Sequence, residues 1–282
     1  MNKNSLSTSE KFITEFHNKN PGITSNVFSN LVVSNGSESF LSPYQCLTDL
    51  VHNKPGLLTV LDLACGDGFL LSILADRQQQ GLSLLGNDIS QGEIEAARLR
   101  LDDSATVSLS KAQNLTLADD SVDIVLCHMA LMLMEDVEKV LSEVSRVLKR
   151  GGVFSAIIGT NSKLPQQVVK IFTSLLKQYK RLDEFETVRF GDPLIRSDEG
   201  INTIFKKNFR QLKIEFLHNK QLLTAQELWN WFYQMYDLHM LEKENVSDLE
   251  KRFVSSVEAL LNDSSAKIEY HTNLKQITAY TI

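Results

Sequence analysis

Thr59-Val60-Leu61-Asp62-Leu63-Ala64-Cys65-Gly66-Asp67-Gly68-Phe69-Leu70-Leu71 is the stretch on which the fold turns. Val60, Leu61 and Leu63 form a short apolar run of the kind a buried strand shows. Gly66 and Gly68 punctuate it, and Leu70, Leu71, Leu74 and Ala75 then recur at helical spacing. The stretch therefore predicts strand, glycine turn and helix. Glycine suits such a turn because it accepts positive φ cheaply and lets a ligand approach the backbone. The turn also aims the free N–H groups of a helix start at whatever binds. A dinucleotide turn asks for G-x-G-x-x-G, and here the third position is Leu71. No Gly-Lys-Ser/Thr follows, which excludes a P-loop. At this point a nucleoside-cofactor enzyme, a nicotinamide enzyme and a plain packing turn all stay open.

Outward from that stretch, 282 residues with 43% hydrophobic content suffice for one large domain with additions. A net charge of −6 offers no general attraction to nucleic acid or to an anionic membrane. The three cysteines, Cys46, Cys65 and Cys127, are odd in number and lack a C-x-x-C spacing. That argues against a disulfide framework and a structural zinc site. The histidines are scattered and make no metal-ligand set. Met1 to Lys11 is polar, without the apolar core of a signal peptide, and no run is long enough to span a bilayer. The expected location is the cytoplasm. Nothing in the sequence sets the oligomeric state.

Ahead of the strand, Ser7–Asn18 predicts a helix, Pro21-Gly22 breaks it, and a second helix starts near Pro43 and carries Tyr44. Beyond the glycine turn, Leu82–Gly86 reads as a second strand and Thr106–Leu109 as a third. Val122–Leu126 reads as a fourth and Val153–Ile158 as a fifth. Ser90 and Glu93 are spaced as a capping box for the helix running to about Leu101. Val137, Val140, Leu141, Val144, Val147 and Leu148 mark an amphipathic helix. Strand and helix alternating on this scale predict a doubly wound, mostly parallel α/β sheet. Asp88, at the end of the second strand and twenty residues past Gly68, is placed to accept both ribose hydroxyls of a nucleoside. Its bland alternative is a turn-former.

After Gly159 the pattern loosens. A helix is expected over residues 165–180, a polar flexible stretch over 182–200, a short helix over Ile201–Phe209 and a strand over Leu212–Leu217. Thr224 and Glu227 are spaced as a capping box for a helix holding Trp229, Trp231, Phe232, Tyr233 and Tyr236. A helix over Ser247–Leu261 and a last strand over Ile268–Tyr280 complete the chain.

Over about residues 44–160 the chain resembles class I S-adenosylmethionine-dependent methyltransferases of the small-molecule, ubiquinone-biosynthesis type. The resemblance rests on the L-D-L-A-C-G-D-G turn, G-N-D-I-S at the second strand, L-A-D-D-S-V-D-I-V before the fourth, and E-V-S-R-V-L-K-R-G-G before the fifth. It implies a Rossmann-like, seven-stranded sheet with its last strand antiparallel, and S-adenosylmethionine at the carboxyl ends of the first strands. It further implies that Asp62, Ala64, Gly66 and Gly68 hold the methionine part, that Asp88 takes the ribose, and that Ile89, Ala112 and Gln113 surround the adenine. Cys127 and His128 would lie beside the methyl group, with His128 the candidate base, and Tyr44 would close the site. Relatives often carry an acid where this chain has Lys111, and lysine cannot accept from an adenine amino group. No Asn/Asp-Pro-Pro-Tyr/Phe follows the fourth strand and no Pro-Cys pair exists, which argues against amino-group and cytosine C5 methylation of nucleic acid.

The organisation expected is an N-terminal helical segment over residues 1–55 packing on the cofactor site, a cofactor-binding core over 56–160, and a cap with the final strands over 161–282. Trp229, Phe232, Tyr233 and Tyr236 show on more than one helix face, so they are the candidate acceptor-binding side chains; the bland alternative is a buried helix. The function expected is direct displacement of a methyl group onto a small-molecule acceptor. Its rivals are a nicotinamide oxidoreductase and a non-catalytic cofactor-binding sensor.

Overall fold

The computed structural model describes residues 6–51, 56–160, 166–179, 190–261 and 266–282. The described chain divides into two compact units. The first comprises residues up to Thr160, Phe190–Leu217 and Leu274–Ile282; the second comprises Asn161–Arg189 and His218–Asn273.

The first unit is built on the sheet. Its elements are α1 (Thr8–Lys19), α2 (Ile23–Phe28), β1 (Val33–Ser34), β2 (Ser39–Phe40), α3 (Pro43–Thr48), β3 (Leu58–Leu63) and α4 (Phe69–Ala75). There follow β4 (Leu82–Asp88), α5 (Gln91–Leu101), β5 (Thr106–Leu109), β6 (Val122–His128), α6 (Val137–Val147), β7 (Leu148–Gly159) and α8 (Asp198–Phe205). Strands β8 (Phe209–Leu223) and β9 (Ile268–Thr281) cross the boundary between the units, after Leu217 and before Leu274. The strand order is β2-β1-β8-β9-β7-β6-β3-β4-β5. β3 pairs in parallel with β4 on one side and β6 on the other, and β4–β5 and β6–β7 are also parallel. β9 runs antiparallel to β7. Seven of these strands are those the sequence predicts; the two-residue hairpin β1–β2 adds an edge that is too short to leave an alternating pattern.

Burial on both faces explains the apolar runs. In β3, Val60, Leu61 and Leu63 are at most 1% exposed, and in β6 residues 124–127 are all buried. The apolar stripe of α6, from Val137 through Val147, lies wholly inside. Arg146 explains part of the sequence preceding the fifth strand of the parallel core. Its guanidinium donates to the carbonyls of Leu115 and Leu117 and pairs with Asp119 and Glu143, clamping the turn that feeds β6. The polar stretch expected to be flexible is only partly described, since residues 182–189 lie outside the described chain. Its described end is packed. Pro193–Arg196 forms a 3-10 turn, and Ile195, 1% exposed, joins Ile201, Ile204 and Phe205 in the core around Phe154.

The second unit carries α7 (Gln167–Tyr179), α9 (Ala225–Tyr233), α10 (Tyr236–His239), α11 (Lys243–Leu261) and the remaining parts of β8 and β9. Thr224 and Glu227 form the capping box that their spacing predicts, with both reciprocal bonds present. The core of this unit is aromatic. Phe172 and Phe232 stack at 4.4 Å, and Phe253 meets Phe232 edge-on at 5.4 Å. No helix among the described residues is long and apolar enough to cross a membrane.

Candidate functional site

Neighbouring parallel strands leaving a common line in opposite directions open a crevice at their carboxyl ends. Here β4 lies on one side of β3 and β6 on the other, so that crevice begins at the end of β3. The backbone there makes a tight left-handed path. Ala64, Gly66 and Gly68 have φ of 58°, 53° and 76°. Gly68 is doubly constrained, because a Cβ on it would sit 2.7 Å from Leu101 Cδ1. Gly68→Ala is therefore expected to lower stability by about 1–3 kcal/mol, measured as a fall in urea midpoint at constant slope. Ala64 holds its left-handed conformation without glycine's freedom.

Asp88 ties the turn to the end of β4. Its Oδ2 accepts from the Gly66 N–H at 3.0 Å and its Oδ1 from the Ser90 N–H at 2.9 Å. A carboxylate has about four acceptor positions, so two remain for a ligand. Asp62, Asp67 and Glu93 are buried with Asp88, each at most 8% exposed. Asp67 is paired with Arg100 and accepts from Ser25 Oγ at 2.7 Å. Burial, then the charges of Asp88 and Asp67, push the Asp62 carboxyl well above the usual range. Burial also raises Asp88, against the lowering effect of its two backbone donors. Such a group of buried carboxylates favours a cationic ligand.

Glu93 corrects one expectation. Ser90 does cap α5, accepting from the Glu93 N–H, but the Glu93 side chain does not return the bond. Its carboxylate accepts instead from the Gly22 N–H at 2.9 Å and meets His17 Nδ1 at 2.7 Å. Asn18 Oδ1 accepts from both Ser90 Oγ and the Gly92 N–H. Residues 17–25 are thereby pinned to the turn and to α5. Motif reading could not find His17, Asn18 and Ser25, because their partners lie 42 to 76 positions away in sequence.

Tyr44, on α3, is 5% exposed; its ring stacks on His128 at 3.9 Å and meets Phe69 edge-on at 4.9 Å. Burial and the charges of Asp67, Asp62 and Glu93 raise its hydroxyl well above the usual value. His128 ends β6, 6% exposed, with Phe28 edge-on at 5.4 Å. Burial pushes its imidazole down to about 3, so the ring is neutral at pH 7. Cys127 departs from the sequence reading. Successive strand residues face opposite sides, and the Cys127 side chain, 0% exposed, belongs to the hydrophobic core with Leu61 and Ala156 rather than sharing the side of His128. Its thiol is pushed up to about 12, chiefly by burial, and is inert.

On the other flank, Ile89 is half-buried beside Asp88, and Ala112 is 8% exposed after β5. Gln113 has its amide nitrogen fixed on the Glu135 carbonyl at 2.7 Å. Lys111 is paired with Glu10 of α1 at 2.6 Å, so a carboxylate does stand at this end of the site, delivered by the N-terminal helix. Trp229 and Phe232, both 2% exposed, are taken up by the core of the second unit, beside Phe253. This corrects the reading of those two as ligand-facing: shared burial accounts for their spread over the helix faces. Tyr233 is 43% exposed and Tyr236 half-buried.

Residues 61–156 match a family profile described as a methyltransferase domain. The chain is 35% identical over 108 residues to a demethylmenaquinone methyltransferase of Symbiobacterium thermophilum, covering 36% of this chain and 43% of that protein. The chain thus spans less than half the length of the first curated relatives it matches. Its fold is shared with Haemonchus contortus phosphoethanolamine N-methyltransferase 2, solved with S-adenosyl-L-methionine, at a TM-score of 0.57 and 18% identity over 99% of this chain and 61% of that one. It is shared equally with the [4+2]-cyclase SpnF, at a TM-score of 0.55 and 13% identity over 98% and 97% of the two chains.

Proposed function

We propose that the chain carries a class I S-adenosylmethionine-dependent methyltransferase domain and that the protein transfers a methyl group from S-adenosylmethionine to a small molecule, a reading supported by the methyltransferase-domain match over residues 61–156 and by the demethylmenaquinone methyltransferase relative. The observation that carries the reading is the Asp88 carboxylate spanning the Gly66 turn and the β4 end within a group of buried acids. The turn would take the methionine part, with Asp62 facing its ammonium. Asp88 would take the ribose, and Ile89, Ala112, Gln113 and the Glu10–Lys111 pair the adenine end. When bound, the cofactor supplies a methyl group already activated on sulfur, so the protein's work is placement and exclusion of water. Tyr44, Phe28 and the pinned residues 17–25 would supply that exclusion.

The three cysteines are free and buried, which suits a reducing compartment, and we place the protein in the cytoplasm. The acidic balance favours a small-molecule acceptor over nucleic acid. A shared fold does not by itself fix the reaction, as the cyclase shows. A nicotinamide reading has no observation in its favour.

The raised carboxyls give the test. Asp62 and Asp88 hold protons to higher pH than free carboxyls, and a sulfonium with an ammonium favours their ionised form. Cofactor binding therefore releases protons, and affinity rises with pH through the window in which these groups titrate. Calorimetry in two buffers of different ionisation enthalpy is expected to show that release with S-adenosylmethionine, and less of it with S-adenosylhomocysteine, which lacks the sulfonium charge. Absence of binding by both would refute the proposed function.

A further inference from the structure

The turn joining β1 to β2 brings together groups that methyl transfer does not use. Asn35 and Gly36 are the only asparagine–glycine pair in the sequence. The Asn35 N–H closes the turn by donating to the Glu38 carbonyl at 3.2 Å. Within it the Asn35 side-chain oxygen, Oδ1, accepts from three donors. They are the Ser37 N–H at 3.1 Å, Ser37 Oγ at 2.9 Å and the Glu38 N–H at 2.9 Å. The bond from the Ser37 N–H folds the Asn35 side chain back over its own peptide, toward the Gly36 nitrogen. The Gly36 N–H in turn donates to Ser34 Oγ at 3.1 Å. Gly36 is exposed, with φ of 93°, and a Cβ built on it would meet nothing within 4 Å.

We propose that this turn is a self-modification site, at which the Gly36 nitrogen attacks the Asn35 side-chain carbon, Cγ, to close a succinimide ring that water then opens. In the first step the N–Cγ bond forms and the Cγ–Nδ2 bond breaks. The electron pair of the broken bond goes to Nδ2. The Gly36 amide proton passes through Ser34 Oγ and solvent to that nitrogen, which leaves as ammonia. Negative charge develops on Oδ1 as Cγ becomes tetrahedral. Its three donors hold an oxyanion more strongly than a neutral amide oxygen, so they favour the transition state over the ground state.

In the second step a water oxygen bonds to either carbonyl carbon of the ring. The pair of that carbon's bond to nitrogen returns to nitrogen with one water proton, and the new carboxyl releases the other. Attack at Cγ leaves aspartate. Attack at the main-chain carbon leaves an isoaspartyl link, with the chain running through the side chain. Either product puts a carboxylate where a neutral amide stood. The isoaspartyl link also lengthens the main chain between β1 and β2, which disturbs the register in which Ser34 faces Ser39. Glycine suits position 36 because the attacking nitrogen then approaches with no Cβ beside it. The reaction consumes only water and needs neither cofactor nor acceptor.

The test incubates the full chain at neutral pH, folded in buffer and unfolded in guanidinium chloride. Products are read by peptide mass spectrometry and by release of ammonia. The expected result is conversion at the peptide holding Asn35-Gly36, first by loss of the mass of ammonia and then by gain of the mass of water, with the other asparagines as internal controls. Conversion is expected to run about tenfold or more faster in the folded chain, because only the folded turn holds three donors on Oδ1. Ser37→Ala removes the hydroxyl donor at an exposed position and is expected to slow the folded chain about threefold, the weight of a single exposed hydrogen bond. If that variant does not fold, the comparison of folded with unfolded parent decides alone. No conversion at Asn35, conversion no faster than in the unfolded chain, or a folded Ser37→Ala protein converting at the parent rate would overturn the proposal.

Discussion

Asp88→Ala is expected to weaken S-adenosylhomocysteine binding by about 2–4 kcal/mol, or roughly 30- to 700-fold, as two charge-assisted acceptor contacts are lost. The carboxylate is buried, and its two oxygens already hold the Gly66 and Ser90 N–H groups. Part of the loss would therefore come from a loosened turn. Asp88→Asn separates the two effects. It keeps the shape and one acceptor oxygen while removing the charge, so it should fall between the parent and the alanine variant. Calorimetry supplies the affinity and a melting curve supplies the stability. A folded Asp88→Ala protein with unchanged affinity would remove this residue from the site.

The second large effect belongs to the other unit. Phe232→Ala is expected to cost about 3–5 kcal/mol of stability, the usual toll of emptying an aromatic core position. Phe232 is 2% exposed, stacks on Phe172 at 4.4 Å, and meets Phe253 and Tyr270 edge-on. Tyr233→Ala, one position along the same helix but 43% exposed, should change stability by no more than about 0.5 kcal/mol. Chemical denaturation of the two variants gives the comparison. A Phe232→Ala protein that unfolds like the parent and loses only acceptor turnover would return this ring to the binding surface.

These two variants mark how far the sequence could be read. The Asp62–Gly68 turn and Asp88 at a strand end are local or periodic features, and local chemistry is what a sequence displays; the strand order that puts them at one crevice is set by tertiary packing. The aromatic helix was visible as a helix, because Thr224 and Glu227 cap it through neighbouring residues. What its rings touch was not visible, since Phe172 and Phe253 approach from distant segments. Glu93 shows the same limit. Its spacing from Ser90 satisfies the capping rule, yet Gly22 and His17 outcompete the local partner. Cys127 and His128 are adjacent in the motif, but strand alternation sends one into the core and the other to the Tyr44 ring. The length of β8 was hidden for another reason. Arg210 and Gln211 on one side and His218, Asn219, Lys220 and Gln221 on the other leave only Leu212–Leu217 looking strand-like, while the strand itself runs from Phe209 to Leu223.

On the proposed reading, the crevice between β3, β4 and β6 is built for S-adenosylmethionine. Titration of the full chain with S-adenosylhomocysteine and, separately, with NAD tests it most directly. Saturable one-to-one binding of S-adenosylhomocysteine is expected, weakened in Asp88→Ala, with no heat from NAD. Binding of NAD with none of S-adenosylhomocysteine would contradict it.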